Sequence, residues 1–145
     1  MRLWPLSILT QLPRQQLLGQ HRECCALRGK GWGRKHATVD YVFTHPYYWL
    51  FIYHQHILAE MQFRGYHFDY SWTERTYRGK SIGNDTSRLT DIEDSKWREG
   101  FIQGRVSLPD YVIYPEHDET YLAECIENLA RKGVHINLPT QKSSA

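Results

Sequence analysis

Acidic residues are almost missing from positions 1–36 of this 145-residue chain. That segment holds seven Lys or Arg (Arg2, Arg14, Arg22, Arg28, Lys30, Arg34, Lys35) against one acid, Glu23, a formal charge of +6. The remaining 109 residues hold 11 Lys or Arg against 15 acids, so the overall +2 conceals a segregation. A basic segment of this kind is the electrostatic footprint of a surface that meets a polyanion. Cysteine is scarce as well. Three residues, two of them adjacent (Cys24, Cys25), supply neither a disulfide framework nor a CxxC zinc spacing, which favours a reducing compartment. No stretch reaches the ~20 apolar residues of a membrane span. Pro5, Ser7, Thr10 and Gln11 interrupt the apolar start, and no small-residue cleavage site follows, so a signal peptide is not expected. The GxxxxGK[ST] phosphate loop is absent. The expectation is a cytoplasmic protein without a membrane partner.

What is present suits one helical domain. A chain of this length buries ~68–70% of its unfolded surface, and aromatic residues make up 14% of it, with ten Tyr and five Trp. Pro13 favours a helix start, with Thr10 or Gln11 near the cap. Projection at 100° per residue then puts Leu17, Leu18, His21, Cys24 and Cys25 on one face and Gln16, Gly19, Gln20 and Glu23 on the other. The first eleven residues are too apolar for a loose tail and should pack as an extended or turn-like segment. A second helix is predicted from about Thr44–Pro46 to Arg64, with Gly65 as its C-terminal cap and Tyr47, Leu50, Phe51, His54, Ile57, Leu58 and Met61 on its core face. A last helix is predicted from about Glu116 to Lys132, closed by Gly133. Between these, residues 68–115 carry weak signals: a short helix from about Thr90 to Glu99 and an extended Tyr111–Tyr114. The chain is thus expected to be all-α, a single compact domain over 1–138 of three main helices with loop-rich connections, and a frayed tail over 139–145.

The stretch from Leu12 to His36 concentrates the chemistry. Glycine inside a helix costs ~1 kcal/mol against alanine, so Gly19, one turn before Glu23, asks for a closely approaching backbone or ligand. Gly29, Gly31 and Gly33 open a loop carrying Lys30, Trp32, Arg34, Lys35 and His36, with Arg28 just ahead of it. Glycines let backbone N–H groups reach phosphates, cations neutralise them, and an indole stacks on or wedges beside a base. His54 and His56 have a metal-like look, but residues two apart on a helix point away from each other, and no metal or other cofactor is expected. A lone carboxylate among cations together with a fixed amino terminus suggests amine chemistry. An unprotonated amine attacks a sugar C1′, expels the base and forms an imine, while a nearby carboxylate shuttles protons. An α-amine, with a reference pKa of ~7.7–8.0, is neutral more often at pH 7 than a lysine at ~10.4.

Met1-Arg2-Leu3, the Leu17–Glu23 run closing in Arg22-Glu23, Arg34-Lys35-His36, and Leu58-Ala-Glu60-Met-Gln-Phe-Arg64-Gly65-Tyr66 together resemble the pyrimidine dimer DNA glycosylases, the phage-type ultraviolet endonucleases, and their bacterial branch in particular. The resemblance covers about residues 1–67. It implies an all-α domain whose N-terminal segment threads between helices, and a metal-independent bifunctional glycosylase and abasic-site lyase acting on damaged double-stranded DNA as a monomer. By the resemblance Glu23 matches the catalytic glutamate, Arg22 its DNA-contacting neighbour, Arg2 the arginine beside the nucleophilic terminus, and Gln15 or Gln16 the contacts ahead of the glutamate. Bulky Arg2 blocks removal of the initiator, so Met1 itself would supply the amine. Ala26 stands where phage members have an arginine, leaving Arg28 as the nearest cation. The family's aromatic, basic C-terminus is missing, with Trp32, Trp72 and Tyr77 the aromatic candidates for its place. Two other classes stand beside this reading: a non-catalytic nucleic-acid-binding module of the same fold, and a helical interaction protein with no nucleic-acid partner.

Overall fold

The computed structural model describes residues 2–36, 38–87 and 113–137. Three α-helices carry it: α1, Arg14–Arg28; α2, Tyr47–Phe63; and α3, Glu119–Arg131. Short 3-10 helices lie at Leu6–Gln11, Asp40–Thr44 and Tyr70–Thr73. Among the described residues the only β pairing is an isolated antiparallel bridge between Tyr77 and Asn84. The all-α expectation is met. The predicted Thr90–Glu99 helix, Tyr111 and the tail over 139–145 fall outside the described residues.

Helix ends follow local chemistry. α1 starts at Arg14 with Pro13 itself as the cap, so the expected cap at Thr10 or Gln11 is corrected: Thr10 and Gln11 belong to the preceding 3-10 helix. α2 closes in a Schellman arrangement. Gly65 takes φ +81°, its N–H donates to the Gln62 carbonyl, and Tyr66 N–H donates to the Met61 carbonyl at 2.8 Å. Gly133, at φ +85°, closes α3 in the same way. α3 begins at Glu119 and not Glu116, because the Asp118 carboxylate caps it by accepting from Tyr121 N–H.

α2 is the axis of the molecule. Every residue of its predicted core face is buried, and so are Tyr48, Ile52, Tyr53, Gln55, His56 and Glu60 on its other sides. A helix apolar around most of its circumference is enclosed and not laid on a surface. α1 packs along one side, the N-terminal residues cover another, and Tyr114 and His117 close a third through ring contacts with Tyr53. Residues 2–11 join the core through Leu3, Trp4, Ile8 and Leu9, all buried. The 3-10 helix Leu6–Gln11 within them is anchored where the Arg64 guanidinium donates to the Leu9 and Thr10 carbonyls.

Two buried arginines organise the rest. Arg28 is 0% exposed, and all five of its donors are used. Nε donates to the Tyr47 hydroxyl, Nη1 to His54 Nδ1 and the Trp72 carbonyl, and Nη2 to the Glu74 and Tyr77 carbonyls, over 2.8–3.1 Å. Phe51 and Trp72 present ring faces to the same guanidinium. Arg78 then donates to the Arg28 and Gly29 carbonyls at the end of α1 and pairs with Asp85 at 2.7 Å. The segment 72–85 is therefore wrapped around the C-terminus of α1 by side chain to backbone bonds.

Candidate functional site

Five of the seven cations, Arg14, Arg22, Lys30, Arg34 and Lys35, are exposed on α1 and the loop after it. Arg22 and Gln15 are exposed, Gln16 and Gly19 are half-buried, and Lys30, Arg34 and Lys35 are exposed in the loop. The loop's shape depends on Gly31, where a Cβ would sit 2.6 Å from the Ala26 carbonyl oxygen, so only glycine fits. Trp32 anchors it, edge-on to both Phe43 and Tyr47 at 5.1 Å. Its half-buried indole packs on those two rings between Lys30 and Arg34 in sequence. Arg34 Nε donates back to the Lys30 carbonyl, and His36 N–H donates to the Asp40 carboxylate.

Gly19 has no packing partner that requires glycine. A Cβ there would meet only Arg22 Nη2, at an ordinary 3.8 Å. The Arg22 guanidinium therefore lies close to the glycine, one turn from Glu23.

Glu23 is half-buried, and its Oε2 is sealed from solvent with no hydrogen-bond partner among the described residues. Buried polar atoms are ordinarily paired, and an orphaned carboxylate oxygen is the kind of defect kept for chemistry. One turn earlier, Gln20 is 1% exposed, against the expectation that it shares the outer face with Glu23. The reason is long-range: the N-terminal segment lies on that flank of α1. Gln20 Nε2 donates to the Arg2 carbonyl at 3.0 Å, and Trp4 N–H donates to Gln20 Oε1 at 2.6 Å. The buried Tyr53 hydroxyl lies 2.6 Å from both the Trp4 carbonyl and Gln20 Oε1 and shares its one proton between them. From the far side, the Tyr121 hydroxyl of α3 donates to the Leu3 carbonyl at 2.8 Å. The Arg2 side chain turns to α3, with Nη1 3.9 Å from Cys125 Sγ and its guanidinium 5.9 Å from the Tyr121 ring centroid. Met1 lies outside the described residues.

One expected DNA contact is corrected. Arg28 reaches no solvent, because its guanidinium is enclosed by five acceptors, the Tyr47 hydroxyl, His54 Nδ1 and the Trp72, Glu74 and Tyr77 carbonyls. Trp72 and Tyr77, two of the aromatics considered for the place of the family's aromatic C-terminus, enclose that arginine and each other, with ring centroids 4.9 Å apart.

Among the described residues one trio, His21, Cys25 and His54, brings metal-ligating atoms within 4.8 Å of one another. The donor chemistry argues against a metal there. Arg28 can only donate, so His54 Nδ1 must accept. The neutral ring then carries its proton on Nε2, which gives it to His21 Nδ1 at 2.9 Å. Both ligand lone pairs are thereby used in a relay. Burial pushes both histidines below their ordinary pKa, with the neighbouring Arg28 adding to the effect, and pushes the Cys25 thiol up to about 12. His54, expected to be a packed core histidine, is one. All three cysteines are free thiols.

Fold and site together define a helical chain whose basic helix carries one sealed carboxylate a turn from the glutamine that tethers the N-terminal segment. The family model of pyrimidine dimer DNA glycosylase matches residues 1–74, just over half of the chain, and the chain belongs to that family. It is thus placed among DNA repair glycosylases, with DNA as substrate. No curated protein and no solved structure matches it. No helix among the described residues is long and apolar enough to cross a membrane.

Sequence reasoning missed Gln20, Tyr53, Tyr121 and Arg78. No local signal marks them, since each works on a partner at least 16 residues away.

Proposed function

We propose that the protein is a bifunctional DNA glycosylase and abasic-site lyase acting on pyrimidine dimers or related base damage in duplex DNA, with the Met1 α-amine as nucleophile and Glu23 as proton shuttle. The neutral amine attacks C1′ of the damaged nucleotide, the C1′–N bond breaks, and the base leaves with the electron pair and takes up a proton. The amine loses its protons as the sugar ring opens to the imine, O4′ taking one of them through Glu23. The same carboxylate then removes a C2′ proton, and the 3′-phosphate departs by β-elimination. Arg22, Gln15, Gln16, Lys30, Arg34, Lys35 and His36 are the residues for phosphate and groove contacts, with Trp32 fixing their loop and Arg2 beside the amine. Glycosylases act on a base taken out of the stack, and the place over Gly19 suits the approach of a bent backbone.

The observation that supports this reading most is the orphaned Glu23 Oε2, one helical turn from the side chain that holds the Arg2 carbonyl. The test is borohydride trapping of protein whose first residue is Met1, on duplex DNA carrying an abasic site or a cyclobutane pyrimidine dimer, in the presence of a chelator. The expected result is a covalent adduct mapped to Met1 and lost on terminal acetylation. Glu23→Gln should retain DNA binding and lose about 10²–10⁴-fold in rate. Binding without any adduct would replace the enzyme reading with the non-catalytic DNA-binding module.

A further inference from the structure

The matched family segment ends at residue 74, yet the N-terminal backbone is held from two sides, and one of them is α3, beyond that segment. On the α1 side, Gln20 uses both halves of its amide on the main chain of residues 2 and 4. On the α3 side, Tyr121 bonds the carbonyl of residue 3 between them. Three consecutive residues of an otherwise irregular segment are thus fixed by side chains whose own positions are set by helices. Tyr121 is in turn held by its ring stack on His117, 4.9 Å away and 9° from parallel, and His117 is bonded to Tyr41 at 2.6 Å. Lys132, at the C-terminal cap of α3, lies 5.7 Å over the Trp4 ring. Gln11 and Asn137 exchange two hydrogen bonds at 2.8 Å, closing the same segment onto the residues after α3.

Gln20 and Glu23 share α1 at a spacing of one turn, so whatever fixes residue 2 to Gln20 also fixes it relative to the carboxylate. We infer that Gln20 and Tyr121 are positioning residues that clamp the start of the chain against α1, so that the terminal amine and Glu23 are held in one geometry for imine formation. This rests on the amine mechanism proposed above. Neither side chain needs to touch DNA, because both of their polar ends are occupied by backbone. The clamp also gives α3 a part in the chemistry that membership of the family by residues 1–74 does not convey.

The test is single-turnover imine trapping on abasic-site duplex at saturating protein, with wild type, Tyr121→Phe and Gln20→Ala side by side. Tyr121→Phe keeps the ring stack on His117 and the ring contact with Arg2 and removes the hydroxyl that bonds Leu3 and also reaches the Tyr41 and Cys125 side chains, so it folds even where Gln20→Ala leaves a buried Trp4 N–H unpaired. The expected outcome is a rate constant lowered about 10- to 100-fold, the loss that a misplacement of order 1 Å brings, with the protein concentration at half-saturation unchanged within about twofold. A merely structural role would lower the amplitude, the fraction of active molecules, and leave the rate constant of the remainder alone. Variants that keep the wild-type rate constant would overturn the clamp. Absence of an adduct from wild type itself is a different result and would remove the amine mechanism on which the clamp rests.

Discussion

Replacing Arg28 separates two accounts of the same residue. By its place in the sequence, five positions after Glu23 and next to a basic loop, it reads as a DNA contact. The structure instead buries it completely, with five donors on five acceptors. In Arg28→Ala the Trp72, Glu74 and Tyr77 carbonyls, the Tyr47 hydroxyl and His54 Nδ1 all lose a donor. Hydrogen bonds to a charged group contribute about 1.5–3 kcal/mol each, but they share one guanidinium and do not add. Buried acceptors left unsatisfied cost about 1–3 kcal/mol each, and with water refilling part of the space the loss is about 3–5 kcal/mol in total. For a domain of this size that is a fall in Tm of about 10–15 °C. Arg28→Lys keeps the charge but loses the planar fork, so it should recover only part of the loss. Thermal unfolding by circular dichroism, alongside DNA affinity at fixed salt, decides the matter. Both variants melting within 2–3 °C of wild type while losing DNA affinity would refute the buried role and restore the contact.

Other outcomes follow from the same geometry. Gly19→Ala should stabilise the protein by ~1 kcal/mol through helix propensity while weakening DNA binding, and unchanged affinity would show that nothing approaches that turn. Combined replacement of Lys30, Arg34 and Lys35 by alanine should make the slope of log affinity against log salt shallower by about 3, with Tm barely moved because all three are exposed. Burial holds His56 and His117 down at about 4, so each stays neutral in the folded state while the unfolded state takes up a proton below ~6.5. Their contribution is therefore fully present above ~6.5 and is lost as pH falls towards 4, on the order of 3 kcal/mol for each. Unfolding midpoints in denaturant measured from pH 7 to 4.5 should fall steadily, and a flat profile would contradict the burial of these rings.

Helix limits were legible because their causes are local. Pro13 ahead of α1, and Gly65 and Gly133 at positive φ after α2 and α3, act through backbone torsion within a few residues. The late start of α3 was missed because two candidate acids, Glu116 and Asp118, precede it and only one reaches the Tyr121 N–H. Family membership was legible too, since the motif is a matter of residue order, and the basic N-terminal segment was visible as charge.

What the sequence by itself determined is therefore the helices, the segregation of charge and the family. Only the tertiary structure decided which polar residues face the solvent. Helical projection put Gln20 outside and left Arg28 among the contacts for DNA, yet both are buried. Their partners, Arg2, Trp4, Trp72, Glu74 and Tyr77, lie 16 to 49 residues away along the chain. A periodicity registers the hydrophobic cost of a position, but a buried amide or guanidinium is stable only when distant carbonyls and N–H groups converge on it. That convergence is a property of the packed molecule.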